Sequence, residues 1–198
     1  ELSSFQLDRM FDFKADIAII LNISPDHLDR YEGDFSKYSK SKFRINQNMK
    51  TNDHLVYNYD DQVISDWVSS KNKKLHQFHP VSITKQLVTG SWVEENQINI
   101  NINNKKTTIM SIHQLAKQGK HNLFNSMAAG VAARVLDIRK EIIRDSLSDF
   151  QNIEHRLEDV AKIHGINFIT YRRFSFKDKL NGRIEKMAEN KSTFCKRN

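Results

Sequence analysis

The 198-residue chain has little cysteine, proline or glycine and no long apolar run. Its single cysteine, Cys195, can form no disulfide within the chain, which suits a reducing compartment. The two prolines and six glycines are scattered, and neither a low-complexity tract nor an internal repeat is present. The longest apolar run, residues 17–21, is far shorter than the ~20 residues that cross a bilayer. With 38% hydrophobic residues, we expect a globular cytoplasmic protein that has no membrane segment.

The start of the chain lacks both an initiator methionine and a leader sequence. The first residue is Glu1, and no basic segment leads into an apolar one near it. A secretory signal peptide would require that arrangement. We therefore expect no signal peptide, and we expect the chain to begin inside a longer reading frame.

The net charge of +7 is concentrated at the end of the chain. Residues 170–198 contain nine Lys or Arg against three Asp or Glu, a net +6, which leaves only +1 for residues 1–169. A basic chain is compatible with a small nucleic-acid-binding protein. Because the charge lies in the tail, we do not expect a nucleic-acid partner for the main domain, and deletion of residues 170–198 would test this.

The pattern of the chain predicts an α/β fold with a mostly parallel sheet and helices on both faces. The run at 15–23 is β-branched and nearly continuous, as in a strand that is buried on both faces. Strict alternation at 97–102, followed by Asn103-Asn104, predicts a hairpin within a small antiparallel insertion at 83–110. The remaining expected elements are a helix that begins at Ser24-Pro25, helices at 35–49, 61–69, 119–135 and 138–150, a strand at 54–58, and a hairpin at 157–169 that turns at Gly165.

Two polar clusters fall where an open α/β sheet would bind ligands. At the start, the Glu1 carboxylate and the hydroxyls near Ser3 are suited to Mg²⁺ and a phosphate, although a loop with a helix cap explains the same residues. After the first strand, Asp26, His27 and Asp29 crowd one turn. The imidazole can ligate a metal or meet a phosphate, or the charges can simply surround a capped helix start.

Lys42 falls on the apolar face of the predicted helix at 35–49, whereas Lys40 lies on the opposite side. A lysine in this position usually extends its ammonium to water. The alternative is a partly desolvated amine with a lowered pKa, which can add CO₂ and become a carbamate. A carbamate is a carboxylate-like ligand for Mg²⁺.

Further along, Asn122 and Asn125 share a helix face and can read an adenine edge or serve as caps. Arg156 can bind a ribose or a phosphate.

Five segments in this order resemble motifs of the Mur ligase family, and together they are far more specific than any one of them. The resemblance covers about residues 1–169, and one segment is most like the members that add D-glutamate. The segments are Glu1-Leu-Ser-Ser-Phe-Gln-Leu7, Asn22-Ile-Ser-Pro-Asp-His-Leu-Asp-Arg30, Lys40-Ser-Lys-Phe-Arg-Ile45, Gly119-Lys-His-Asn-Leu-Phe-Asn125 and His155-Arg-Leu-Glu158.

The resemblance implies part of a P-loop type central domain and an ATP-dependent amide ligase of peptidoglycan synthesis. Its expected substrates are UDP-N-acetylmuramoyl-L-alanine and D-glutamate, its cofactors ATP and Mg²⁺, and its state a monomer. The implied catalytic and metal-binding residues are Glu1, His27 and carbamylated Lys42. Further implied contacts are Ser3 and Gln6 with the UDP-sugar, Asn122 and Asn125 with adenine, and Arg156 with ribose.

The chain also departs from the family's pattern at both ends. No phosphate loop Gly-x-x-x-Gly-Lys-[Ser/Thr] precedes Glu1. After residue 169 the chain reads Thr170-Tyr-Arg-Arg-Phe174 where the family continues differently. We therefore expect residues 1–169 to be an incomplete domain that is inactive alone. We expect residues 170–198 to be an unrelated tail, for which our hypothesis is a frameshift. Another Mur ligase or a folylpolyglutamate synthetase-like ligase is the alternative within the superfamily.

Overall fold

The computed structural model describes residues 2–71 and 76–149, together with the backbone of two strands at 156–163 and 166–171. The chain divides into two units, Glu1–Phe150 and Gln151–Asn198. The second unit contains an antiparallel hairpin of β7 (Arg156–Ile163) and β8 (Ile166–Tyr171). This is the hairpin that the sequence predicts, although Gly165 lies outside the described residues. The predicted domain boundary between residues 169 and 170 stays a prediction.

The first unit alternates strands with helices along the chain. Its strands are β1 (Ile17–Ile20), β2 (His54–Asn58), β3 (Gln77–Ser82), β4 (Gly90–Glu94), β5 (Gln97–Ile102) and β6 (Lys105–Ser111). Its α-helices are α1 (Ser4–Asp8), α2 (Phe35–Phe43), α3 (Gln62–Ser69), α4 (Lys120–Val135) and α5 (Lys140–Ser148), and short 3₁₀ turns lie at Leu28–Tyr31, Arg44–Asn46 and Ile112–Gln114.

The strands β1 to β6 form one sheet in the order of the sequence. The pairs β1–β2, β2–β3 and β3–β4 are parallel, whereas β4–β5 and β5–β6 are antiparallel. The predicted α/β class and mostly parallel sheet are confirmed. The antiparallel strands continue the same sheet, and the β5–β6 hairpin turns at Asn103 and Asn104, which both have positive φ as this tight turn requires.

Strand β2 is buried on both faces of the sheet, which explains why its three central residues, 55–57, are all apolar or aromatic. On one face, Leu55 packs with Ile64 of α3 and Phe43 of α2. On the other face, Val56 packs with Met127 of α4. Helix α2 connects β1 to β2, and α3 connects β2 to β3, so both connections run in the same direction across the sheet. Because such connections are right-handed, both helices lie on one face. The site residues on α2 and on α4 therefore lie on opposite faces.

Two predicted helix boundaries are wrong, and hydrogen bonds between distant segments explain both. The helix that was expected to begin at Ser24-Pro25 is replaced by an irregular segment and a 3₁₀ turn that begins only at Leu28. The Ile23 N–H is bound by the Asp61 carboxylate at 3.3 Å, far away in sequence. Helix α2 ends at Phe43 instead of Met49, because the following segment is tied to residues 7–13 instead of continuing the helix. The side chains that donate to backbone carbonyls there are those of Arg44, Gln47 and Asn48.

A pair of histidines near the start of β2 and β3 makes the stability of this unit depend on pH. His54 Nδ1 lies 2.9 Å from His79 Nε2, and the two rings stack. Burial, and secondarily the neighbouring charge of His54, lowers the pKa of His79 from its ordinary value of 6.5 to about 4. The folded state therefore resists a proton that the unfolded chain accepts. The stabilisation is complete above pH 6.5 and is lost as the pH falls towards 4.

Lowering the pH from 7.5 to 4.5 is thus expected to reduce the free energy of unfolding by up to about 3 kcal/mol through His79. Urea unfolding at the two pH values measures this loss. In the variant His79→Asn the loss should shrink by most of that amount, whereas His113→Asn, at an exposed position, should leave it unchanged. An unchanged loss in His79→Asn would contradict the assignment to this pair.

Candidate functional site

The candidate site begins at the carboxyl ends of β1, β2 and β3, which meet at one edge of the sheet. Residues at the end of β2 and directly after it bind the ends of both neighbouring strands and the segments that follow them. Asn58 Nδ2 donates to the Leu21 carbonyl at 2.9 Å. Asp60 Oδ1 accepts from the Ser82 hydroxyl at 2.6 Å, and its Oδ2 accepts from the Ile83 N–H at 2.8 Å. The loop that leads to His27 is therefore fixed by the strand beside it.

The two carboxylate oxygens of Asp61 accept hydrogen bonds from two different segments. Its Oδ1 caps α3 by accepting from the Ile64 N–H at 3.1 Å, and its Oδ2 accepts from the Ile23 N–H. The run Asn58 to Asp61 was not predicted as part of the site. A cluster of polar residues directly after a buried strand was the signal in the sequence that could have revealed it.

Loss of the hydrogen bond from the Ile23 N–H to Asp61 alone should loosen the loop after β1 without weakening α3. Asp61→Asn keeps a carbonyl oxygen for the cap but leaves no acceptor for the Ile23 N–H, so faster hydrogen exchange is expected at residues 23–27. Asp61→Ala should show the same exchange and in addition lose about 1 kcal/mol of stability. Hydrogen exchange and urea unfolding of both variants test this. Wild-type exchange at Ile23 in Asp61→Asn would contradict the tie.

The segment from Ser3 to Gln6 forms a capping box at the start of α1. The Ser3 N–H donates to Gln6 Oε1 at 2.8 Å, and the Gln6 N–H donates to Ser3 Oγ at 3.3 Å. The helix-cap interpretation of this motif is therefore confirmed. The role of the two side chains at a UDP-sugar stays a prediction.

The turn after β1 packs against α1 through aromatic contacts. The rings of Phe5 and His27 lie 5.4 Å apart, and the Arg30 guanidinium lies 4.3 Å from the centre of the Phe5 ring. His27 has left-handed backbone angles (φ 49°) and an exposed side chain, with its Nε2 at 3.8 Å from Asp26 Oδ2. The structure thus brings the first two predicted motifs together.

Helix α2 places Lys42 beside the same N-terminal segment. The Lys42 Nζ donates to the Leu2 carbonyl at 3.3 Å, and Ser41 Oγ donates to the Ser4 carbonyl at 2.9 Å. Lys42 is half-buried, whereas Lys40 on the same helix is exposed. The inward position that the periodicity predicts for Lys42 is therefore observed, next to the residue that follows Glu1.

Asn122 and Asn125 lie at the start of α4, on the other face of the sheet from α2. Asn122 Nδ2 donates to the Gln118 carbonyl at 2.8 Å, so its amide helps to close the helix start, while Asn125 is exposed. The side chain of Arg156 and all of Glu1 lie outside the described residues. Within the described part of the chain, no three His, Cys, Asp or Glu side chains form a metal-binding group.

Comparison with known proteins decides the family. The family model of the Mur ligase middle domain matches residues 1–133. The chain belongs to the Mur ligase family. A UDP-N-acetylmuramoylalanine--D-glutamate ligase from Christiangramia forsetii is 48% identical over 169 residues, which cover 85% of this chain and 38% of the relative. A ligase of the same name from Bacteroides fragilis is 45% identical, with 85% and 37% covered. The resemblance that the sequence motifs indicate is thereby confirmed.

A solved peptide ligase structure has the same fold. The pseudomurein peptide ligase type C from Methanothermus fervidus superimposes with a TM-score of 0.58 at 19% identity, over 80% of this chain and 38% of that one. The present chain thus spans little more than a third of the length of its Mur ligase relatives. Within the described residues, no helix combines the length and apolar character needed to cross a bilayer.

Proposed function

We propose that residues 1–169 are the central, ATP-using part of a ligase that joins D-glutamate to UDP-N-acetylmuramoyl-L-alanine in cytoplasmic peptidoglycan synthesis. The 48% identity over 169 residues to a relative of that name carries the proposal. By resemblance to the family, ATP phosphorylates the substrate carboxylate to an acyl phosphate. The amino group of D-glutamate then attacks the acyl carbon, and the amide forms as phosphate leaves. The active protein would be a monomer.

The residues of the site fit a magnesium ion only in one chemical form. Mg²⁺ prefers oxygen ligands, and an ammonium repels it. Lys42 can therefore serve only as a carbamate, together with the Glu1 carboxylate and the His27 imidazole. The position of Lys42 supports this, because its Nζ lies 3.3 Å from the carbonyl oxygen of Leu2, the residue that follows Glu1. When bound, the metal would neutralise charge on the transferring phosphoryl group.

The other proposed contacts bind and orient the substrates. Ser3 and Gln6 would meet the UDP-sugar, and their mutual hydrogen bonds hold them ready in one geometry. Asn122 and Asn125 would approach the adenine, and Arg156 the ribose. We also propose that residues 170–198 form a separate basic tail. We further propose that residues 1–198 alone are inactive, because the 169 residues that match the relative cover only 38% of its length.

A chimeric enzyme tests the proposal directly. Residues 1–169 replace the matching segment of the Christiangramia forsetii relative, whose own flanking parts are kept. We expect ADP release that requires both UDP-N-acetylmuramoyl-L-alanine and D-glutamate, while residues 1–198 alone show none. A folded chimera that lacks this activity would contradict the proposed function. Turnover by residues 1–198 alone would contradict only the claim that they are inactive.

A further inference from the structure

A basic cleft lies at the edge of the sheet opposite the candidate site. It is formed by the edge strand β6, the end of α4 and the start of α5, and it measures about 570 Å³. We call it the β6–α5 cleft. Four cationic side chains line it, together with one acid, Glu141. The cations are Lys106 of β6, Arg134 of α4, Arg139 before α5 and Lys140 of α5.

The charge of this cleft is unusual for the chain that surrounds it. Its four cations and one acid give a local excess of +3, or +2 when Glu94, which pairs with Lys106, is included, whereas residues 1–169 together carry only +1. Surface cations are normally interspersed with acids. Among the described residues, no carboxylate oxygen lies within 4 Å of the charged nitrogens of Arg139 or Lys140. The cleft therefore concentrates positive charge that its own side chains leave largely uncompensated.

The cations are held by different elements and in different ways. Lys106 Nζ lies 3.1 Å from Glu94 Oε2 and 5.1 Å from the centre of the Trp92 ring, which fixes it on β6. The Arg134 Nη1 donates to the Ile138 carbonyl at 2.8 Å, which orients its guanidinium. A fixed guanidinium loses little freedom when it forms paired hydrogen bonds with phosphate oxygens. The cleft is thus partly preorganised for an anion.

The lining also limits the kind of anion. Among the residues that the structure describes, no aromatic side chain lines the cleft, so they offer no surface on which a nucleobase could stack. Its remaining groups are Thr107 and Thr108. The Thr107 hydroxyl can donate to oxygen, whereas the Thr108 hydroxyl already donates to Asn99 Oδ1 at 2.8 Å. Its volume exceeds that of a single phosphate and lies in the range of small-molecule sites. Charge and hydrogen bonds, rather than stacking, would provide the recognition.

We propose that the β6–α5 cleft is an accessory binding site for a small di- or polyphosphate anion, separate from the candidate catalytic site. Arg139 and Lys140 would contact the anion, and Arg134 would be the preoriented guanidinium. Glu141 would oppose binding by its charge. The proposal does not depend on the ligase activity, since none of these residues belongs to the candidate site.

Titration of residues 1–198 with inorganic pyrophosphate, without divalent cations and at low salt, tests the site. Calorimetry gives the affinity, and amide NMR shifts locate the contact. We expect saturable binding with shifts at residues 107–108 and 139–141. Arg139→Glu should weaken the affinity about tenfold or more. Glu141→Gln should strengthen it about threefold, because a repelling charge is removed.

The controls separate a site from general attraction to a basic chain. Lys71→Glu makes the same charge reversal at the end of α3, away from the cleft, and should change the affinity less than about twofold. Arg139→Glu should fold, since a carboxylate suits a helix start. Should it not fold, Lys140→Glu supplies the same reversal. Absence of saturable binding would overturn the proposal. It would also be overturned if Lys71→Glu weakened the affinity as much as Arg139→Glu does, and binding would then be assigned to general positive charge, such as that of the tail.

Discussion

Gly90→Ala is expected to destabilise the fold by more than about 3 kcal/mol, the largest effect that we expect from an added methyl group at any of the four described glycines. Gly90 begins β4, where this strand starts to pair with β3. A Cβ at this position would lie 1.9 Å from the Pro80 carbonyl oxygen and 2.9 Å from the Pro80 backbone nitrogen. These are backbone atoms inside a sheet, so they cannot turn aside as a side chain would. The residue also has φ +88°, which L-residues rarely adopt.

Gly33→Ala is the matched control, because it isolates the backbone conformation from the steric clash. Gly33 has φ +74°, and nothing lies within 4 Å of an added Cβ. We expect it to cost only about 1–2 kcal/mol. Urea unfolding of wild type and both variants gives the comparison. If Gly90→Ala were no less stable than Gly33→Ala, the close contact between β3 and β4 would be wrong.

Strand β3, which lies beside Gly90, was not predicted from the sequence. The run Gln77 to Ser82 contains two features that argue against a central strand, Pro80 and the polar His79. The structure accommodates Pro80 because β4 pairs with β3 only from Val81 onwards. His79 is accommodated through its contact with His54 on β2. Both compensations come from other strands, so a local pattern could not show them.

Elements whose own residues determine them were predicted well. The strand at 54–58 was located correctly because its centre, residues 55–57, is apolar, and the strand at 97–102 because it alternates and is followed by Asn103-Asn104. By contrast, the loop after β1 and the end of α2 depend on distant partners. Asp61 binds Ile23, and Asn48 binds the Phe11 carbonyl at 2.6 Å. Periodicity indicates which face of a helix is apolar, but it does not show such ties.

In the candidate site, too, local features were predicted from the sequence, whereas contacts between distant segments were not. The motifs and the periodicity of α2 correctly predicted the inward position of Lys42, because both are local signals. The sequence did not show that Lys42 would contact the Leu2 carbonyl, or that Phe5 would pack on His27. The roles of Asp60 and Asp61 were missed because each acts on a segment that lies more than 20 residues away. These contacts depend on the crossover connections of the sheet, which place the carboxyl ends of β1, β2 and β3 side by side.

Lys42→Ala in the chimeric ligase is expected to lower kcat about 10²–10³-fold, the loss that follows removal of one strong electrostatic group from a catalytic site. The reason is that the carbamate would be the metal ligand that this lysine supplies. Lys40→Ala is the matched control. It removes the same side chain two residues away on the same helix, but from an exposed position. ADP release that depends on D-glutamate measures both variants, and Lys40→Ala should stay within about twofold of the unchanged chimera.

Lys42→Arg distinguishes a carbamate from a simple positive charge. Arginine keeps the cation but does not lose its proton in proteins, so it cannot add CO₂. The carbamate hypothesis therefore predicts that Lys42→Arg is as impaired as Lys42→Ala, and that removal of bicarbonate lowers the activity of the unchanged chimera. If Lys42→Arg retained most of the activity, the half-buried lysine would act as a cation towards phosphate. The proposed magnesium ligand set of Glu1, His27 and Lys42 would then have to be abandoned, while the ligase assignment would stand.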